Sequence, residues 1–232
     1  MKNSKDYGLK LKKAFQSWVR QAADSKPVVY EDPIEALIVG LISQVYPESE
    51  ARKIYKRIQN HFVDFNDLRV ARGEEILDVM GDHSPQAQET AQVLTRILNQ
   101  IFDRYDTLTL TSLKGQGKRQ GRKAIETLDG ISRFAVDYCF LTSLDGHAIP
   151  LTETMKNFLR QEGLVHPEAS DEEIYGFLER QIPAAKDWLF YSLLRTAAEG
   201  GLKAEEKRRP LETKGEKKKK AKSKSKEQSS GK

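Results

Sequence analysis

The sequence predicts an all-α protein, and three observations carry that prediction. Apolar residues recur at helical spacing in segment after segment. Helix start and stop signals, Asp32-Pro33, Ser84-Pro85, Gly81 and Gly200-Gly201, bracket those segments. Strand-like alternation occurs at LTLTSL, from Leu108, a run too short to found a sheet.

The first helix places Leu11, Ala14, Phe15, Trp18, Val19 and Ala22 on one face, with Lys12, Lys13 and Arg20 on the other. Asp32, Pro33 and Glu35 form the next start signal: an N-cap acid, a proline at the first helical position and a glutamate able to reach back. The run IEALIVGLISQV that follows is apolar nearly all round, so it is expected to be a buried central helix. Pro47 ends it, and ESEARKIYKRIQNHF is amphipathic again.

Asn66 to Met80 reads as a short helix stopped by Gly81. Ser84-Pro85 caps a long one, with Ala87, Val93, Leu94, Ile97, Leu98 and Ile101 inward. A Gly-punctuated, basic loop runs from Leu108 to Lys123. Helices are then expected at about Lys123–Leu128, Arg133–Leu144, Thr152–Gln161, Asp171–Gln181 and Ala184–Glu199, with Gly200-Gly201 as a C-cap. Cys139, on an apolar helix face, is expected in the core; His83 and His147 show no ligand spacing and are expected in exposed turns.

Composition bounds the function. A single cysteine excludes a disulfide framework or a multi-cysteine metal site, and no metal is expected. No apolar run approaches the roughly 20 residues of a membrane span, and MKNSKDYGLKLKK has no signal core. These features predict a soluble cytoplasmic protein without a membrane partner. The net charge of +5 is unevenly spread: residues 203–232 hold 13 Lys/Arg against 5 Glu, leaving the rest slightly acidic. The Lys-rich segment has too little apolar surface to fold alone and is expected to be disordered; its charge suits a polyanion.

The stretch ETLDGISRFA, Glu126–Ala135, is the most informative. A helical pattern stops at Gly130 and restarts two residues later. So tight a hairpin between helices presents backbone N–H groups to an anion.

From this hairpin onward, LDGISRFAVDYCFLTSLDGHAIPLTETMKNFLRQEGLV resembles, without a gap, the pattern LPGVGxKTA … PVDTHVxRVxxRLGLV of the endonuclease III-like helix-hairpin-helix DNA glycosylase superfamily. Upstream, LISQ and SPQAQ resemble two further family segments in the same order. The likeness covers about residues 33–195. It implies a six-helix barrel at roughly 33–145, a second lobe from 9–24 plus 146–200, and a DNA cleft between them, all within residues 1–202. It also implies a hairpin that holds a DNA phosphate, often with a monovalent cation, and double-stranded DNA as partner. Family enzymes flip a damaged base out of the duplex and cut its glycosidic bond. By the same likeness the DNA-binding residues are Leu128, Gly130, Ile131, Ser132, Arg133 and Gln44. The adjoining basic run adds Lys118, Arg119, Arg122 and Lys123.

The departures matter as much. The family's catalytic lysine falls at Phe134 and its catalytic aspartate at Thr152. A phenyl ring is no nucleophile, and a hydroxyl neither stabilises an oxocarbenium ion nor activates water. Asp137, one turn after Phe134, and Glu153, beside Thr152, are the acids that could substitute. The second hairpin glycine is Ser132. The C-terminal cysteines of iron–sulfur members are absent, so no cluster is expected. The sequence therefore predicts a DNA-associated pseudoenzyme of the base-excision-repair fold. An active divergent glycosylase and a helical protein-interaction module remain the alternatives.

Overall fold

A computed structural model describes residues 4–21 and 26–201. Among them are eleven α-helices, two 3-10 turns and no strand. The expectations for Ala22 and for the Lys-rich segment 203–232 lie outside the described residues, as do positions 22–24 of the expected second lobe. No described helix is long and apolar enough to cross a membrane.

The helix α2 (Pro33–Val45) is the central one, buried at Pro33 and Ile34 and from Ala36 to Ser43. Asp32 caps it by accepting the Ile34 N–H at 3.0 Å, with Pro33 at the first helical position. It packs along α3 (Glu48–His61), α6 (Pro85–Tyr105) and α8 (Arg133–Thr142). Gly40 allows a close approach to α8. A Cβ there would lie 3.2 Å from the Ala135 Cα, so α2 fixes the position of the first turn of α8. The first and last described helices meet: α1 (Ser4–Gln21) lies on α11 (Asp187–Ala198) through Phe15 and Phe190, with ring centres 5.2 Å apart. Gly200, at φ +81°, ends α11, and the Gly201 N–H returns to the Thr196 carbonyl at 2.8 Å.

Several expectations are corrected. The helix expected over residues 66–80 is two, α4 (Phe65–Val70) and α5 (Gly73–Met80). Extended backbone at Ala71 and Arg72 separates them, which lets both Leu68 and Ile76 reach the core. LTLTSL forms no strand. Asp32 takes the Leu110 N–H at 2.9 Å and the Thr109 hydroxyl, tying the segment to the cap of α2, and a 3-10 turn follows at Thr111–Gly115. The helix before the hairpin, α7 (Lys118–Glu126), starts five residues earlier than expected. Val19 is 44% exposed rather than inward. His147 is no free turn residue. Its Nδ1 lies 2.6 Å from the buried Asp187 carboxylate and its Nε2 meets the Glu179 carbonyl at 2.8 Å. Cys139 is fully buried as expected.

Candidate nucleic-acid interface

Between α7 and α8 the chain reverses in six residues, Thr127–Ser132. Gly130 carries φ +82°, which a residue with a Cβ adopts only under strain. A Cβ there would also sit 3.0 Å from the Arg96 guanidinium. Ser132 stands where the resembled family has a second glycine, yet its φ is −83°. It needs no special backbone, and its hydroxyl caps α8 by accepting the Ala135 N–H at 3.1 Å.

The turn's donors divide in two. The Leu128 and Ile131 N–H groups are used internally, on Ile125 O and Leu128 O, and α6 takes the Asp129 N–H on Gln100 Oε1 at 2.8 Å. Among the described residues, no acceptor meets the N–H groups of Gly130, Ser132 and Arg133. These free donors stand at the positive end of α8. Leu128 is 4% exposed, so its side chain anchors the turn rather than touching a ligand. On the turn's other side, Arg104 donates to the Thr127 carbonyl at 2.7 Å and to its hydroxyl at 2.8 Å. A monovalent cation at the turn would thus have a cationic side chain beside it, and Asp129 O is taken by Gln100.

A cleft of about 950 Å³ opens beside the turn. Gly130, Ser132, Arg133 and Phe134 line one part of it, Gln44 and Val45 another, and Leu151, Thr152 and Glu153 a third. The structure therefore brings the hairpin, Gln44 and both slot residues to one place. Gln44 is exposed and Val45 is 40% exposed, so the end of α2 projects into the cleft.

Neither slot residue offers a reagent. Phe134 is 4% exposed and stacks on Tyr138, with centroids 6.0 Å apart and planes at 25°. Tyr191 and the Arg195 guanidinium close on its other sides. Behind these rings the Glu48 carboxylate accepts from both tyrosine hydroxyls, at 2.8 and 2.9 Å, and burial raises both phenols far above their ordinary pKa. Arg195 also bonds the Ser43 and Tyr46 carbonyls at 2.6 Å each, which fixes the end of α2 that carries Gln44. Thr152 is the N-cap of α9 (Glu153–Gln161): its hydroxyl accepts the Met155 N–H at 3.3 Å.

The candidate substitutes fare differently. Asp137 is fully buried and does not line the cleft. Arg122 holds it at 2.6 Å and Arg133 at 3.5 Å; burial raises its pKa against the pull of those two cations. It is neither a cleft acid nor a solvated surface residue but a structural ion pair. Glu153 does face the cleft, 77% exposed, and pairs with Lys156. Of the basic run, Arg122 is withdrawn from any phosphate by Asp137, by Glu126 at 2.8 Å and by the Phe140 ring. Lys118 lies at the far end of α7 from the hairpin, on the Asp145 carbonyl. Arg119 and Lys123 are exposed, outside the cleft lining.

Sequence reading missed several cleft residues. Tyr175, on α10 (Asp171–Gln181), carries the Arg133 guanidinium 3.6 Å from its ring centre. Lys156 is 5% exposed between Glu153 and Asp171; burial lowers its pKa, but the two carboxylates outweigh that and raise it, so the group is an ammonium and no nucleophile. Glu89 and Glu172 add carboxylates from α6 and α10. The lining thus holds four carboxylates against the cations Arg133 and Lys156. Helical spacing gives no signal for these, because they converge from three helices.

An iron–sulfur cluster does not fit: the one cysteine is buried in α8, its Sγ 3.4 Å from the Pro33 carbonyl. Among the described residues, no group of three His, Cys, Asp or Glu side chains could hold a metal ion.

No protein-family model matches the sequence, and no curated protein matches it. Solved structures do match. A non-covalent endonuclease III–DNA complex superposes with a TM-score of 0.67 at 16% identity, over 92% of this chain and 98% of the other. A Clostridium acetobutylicum 8-oxoguanine glycosylase/lyase, in complex with DNA containing cytosine opposite 8-oxoG, gives 0.65 at 15% identity, over 87% and 72%. An H. pylori 3-methyladenine DNA glycosylase bound to 1,N6-ethenoadenine gives 0.60 at 14%, over 85% and 99%. With so few residues shared, the likeness lies in the course of the backbone, and in that the chain has the endonuclease III-like DNA glycosylase fold.

Proposed function

We propose that this protein binds duplex DNA through the Gly130 hairpin and does not cut the glycosidic bond. One observation carries the reading. In a single cleft the free N–H groups of Gly130, Ser132 and Arg133 stand beside two slot residues already consumed, Phe134 by packing and Thr152 by capping. Backbone donors at a helix N-terminus bind a phosphate whatever the side chains are. Excision needs a group that carries charge or a proton, and such help is typically worth about 10²- to 10⁴-fold.

The acidic lining bounds the binding mode. Four carboxylates repel a backbone drawn deep into the cleft, so phosphate is held at the hairpin rim, with Arg133 and Arg96 as the nearby cations. Gln44 and Val45, fixed by Arg195, are the side chains placed to press on a base step. The Lys-rich segment 203–232 adds affinity without sequence choice. Fluorescence anisotropy with a labelled duplex tests the reading. Gly130→Pro weakens binding several-fold with helix content kept; unchanged binding by a folded variant removes the hairpin from the interface. Deleting Glu216–Lys232 flattens the dependence of log K on log salt by roughly 0.9 for each phosphate that no longer pairs with a lysine.

A second reading, an active divergent glycosylase, is favoured by the exposed carboxylates of Glu153 and Glu89 in the same cleft. It requires base release that Glu153→Gln or Glu89→Gln abolishes.

A further inference from the structure

A strip of surface along α1 shares no residue with the cleft. Leu9 and Val19 are 62% and 44% exposed. Leu9, Lys12, Gln16 and Val19 follow one another at spacings of three and four, so they form a single ridge about 15 Å long. Two hollows adjoin the ridge and share Phe15 and Lys186. One, of about 760 Å³, lies between Leu9, Lys12 and the Gln181–Pro183 corner. The other, of about 480 Å³, lies between Gln16, Val19 and Leu189.

The charge on this strip has one sign. Lys5, Lys12 and Lys186 are exposed at the first hollow, and among the described residues no Asp or Glu lines either hollow and these three lysines make no ion pair.

We propose that this strip docks an acidic amphipathic helix of another protein. Leu9 and Val19 at the ends of the ridge, with the hollows that add Phe15 and Leu189, fit a helix with apolar residues at i, i+3, i+4 and i+7, and the lysines meet carboxylates beside that stripe. Duplex DNA fits less well, because its phosphates would answer the lysines but leave Leu9, Val19 and Leu189 against a charged backbone. A second copy of this chain would set lysine against lysine.

The test uses the full chain and a fluorescein-labelled synthetic helix with leucine at i, i+3, i+4 and i+7 and mainly glutamate elsewhere. Anisotropy is expected to show binding that Leu9→Asp with Val19→Asp weakens about tenfold at an unchanged circular-dichroism spectrum. Neither side chain belongs to the buried core, so the fold tolerates the change. Lys5→Glu, Lys12→Glu and Lys186→Glu together are expected to lose the glutamate peptide and gain its lysine counterpart. Gly130→Pro leaves peptide binding intact, which separates this surface from the proposed hairpin contact. The proposal is overturned if the unmodified protein binds the lysine peptide as well as the glutamate one. It is equally overturned if the Asp pair leaves affinity unchanged, or if duplex DNA displaces the peptide through the three lysines.

Discussion

The hairpin and the slots beside it line one cleft and depart from the resembled family pattern in different ways. The hairpin differs from the resembled family pattern at Asp129, Ile131 and Ser132, yet its working parts are backbone: a positive φ at Gly130 and three unmatched N–H groups. Ser132 even adds a cap to α8. In the slots each change is a change of chemistry. Phe134 joins a core of two tyrosines and Arg195, and Thr152 retains the capping that an aspartate there would also perform. A function carried by main chain tolerates new side chains; a function carried by one amine and one carboxylate does not. On the proposed reading, the grip on DNA rests on the main chain of the hairpin, while the two slot positions serve packing and capping.

The sharpest way to break this contrast is to force a reagent back. Phe134→Lys places an ammonium among buried rings, and urea unfolding is expected to show a loss of about 3–5 kcal/mol, as for truncation of a buried phenylalanine. A loss under about 1 kcal/mol would mean that the site is open enough to hold an amine. Next in size is the hairpin. Gly130→Ala has to hold a Cβ at φ +82°, 3.0 Å from Arg96, and is expected to cost about 1–3 kcal/mol of strain; equal stability would show that the turn relaxes freely. Thr152→Ala removes the cap of α9 and costs about 1 kcal/mol, whereas Thr152→Asp stays within about 0.5 kcal/mol of the unmodified protein. If the aspartate variant were much less stable, Thr152 would be doing more than capping.

The smallest effect concerns pH. Burial disfavours the charged His147, but Asp187 and the Glu179 carbonyl outweigh it and raise its pKa above the ordinary imidazole value near 6.5. Its stabilising contribution is therefore complete below that value and is lost as pH rises through the raised folded pKa. His147→Gln is expected to flatten the stability profile in that interval and leave it unchanged elsewhere. Burial raises the Asp187 carboxyl as well, against the pull of His147.

The fold was legible because its evidence is periodic and ordered. The all-round apolar run of α2, the Asp32 and Ser84 caps and the Gly130 turn each leave a local mark, and their sequence order gives the rest. The site was legible only in part. Gln44, Gly130, Arg133, Phe134, Thr152 and Glu153 do share the cleft. Asp137, one of the acids that could substitute, and Arg122, expected as a phosphate ligand, pair with each other instead, because a one-turn offset from Phe134 points into the packing of α7 on α8. Tyr175 and Lys156 leave no trace in sequence; their place depends on how α9 and α10 meet α8, a long-range matter that spacing does not encode.

The most direct measurement incubates the unmodified protein with duplexes carrying uracil, an oxidised pyrimidine, 8-oxoguanine or an abasic site. Each reaction is read for bound fraction, base release, strand scission and borohydride-trapped adduct. The account predicts binding to duplex DNA with no trapped adduct and no excision above buffer on any of them. Robust excision abolished by Glu153→Gln or Glu89→Gln would contradict it and make the cleft a working active site.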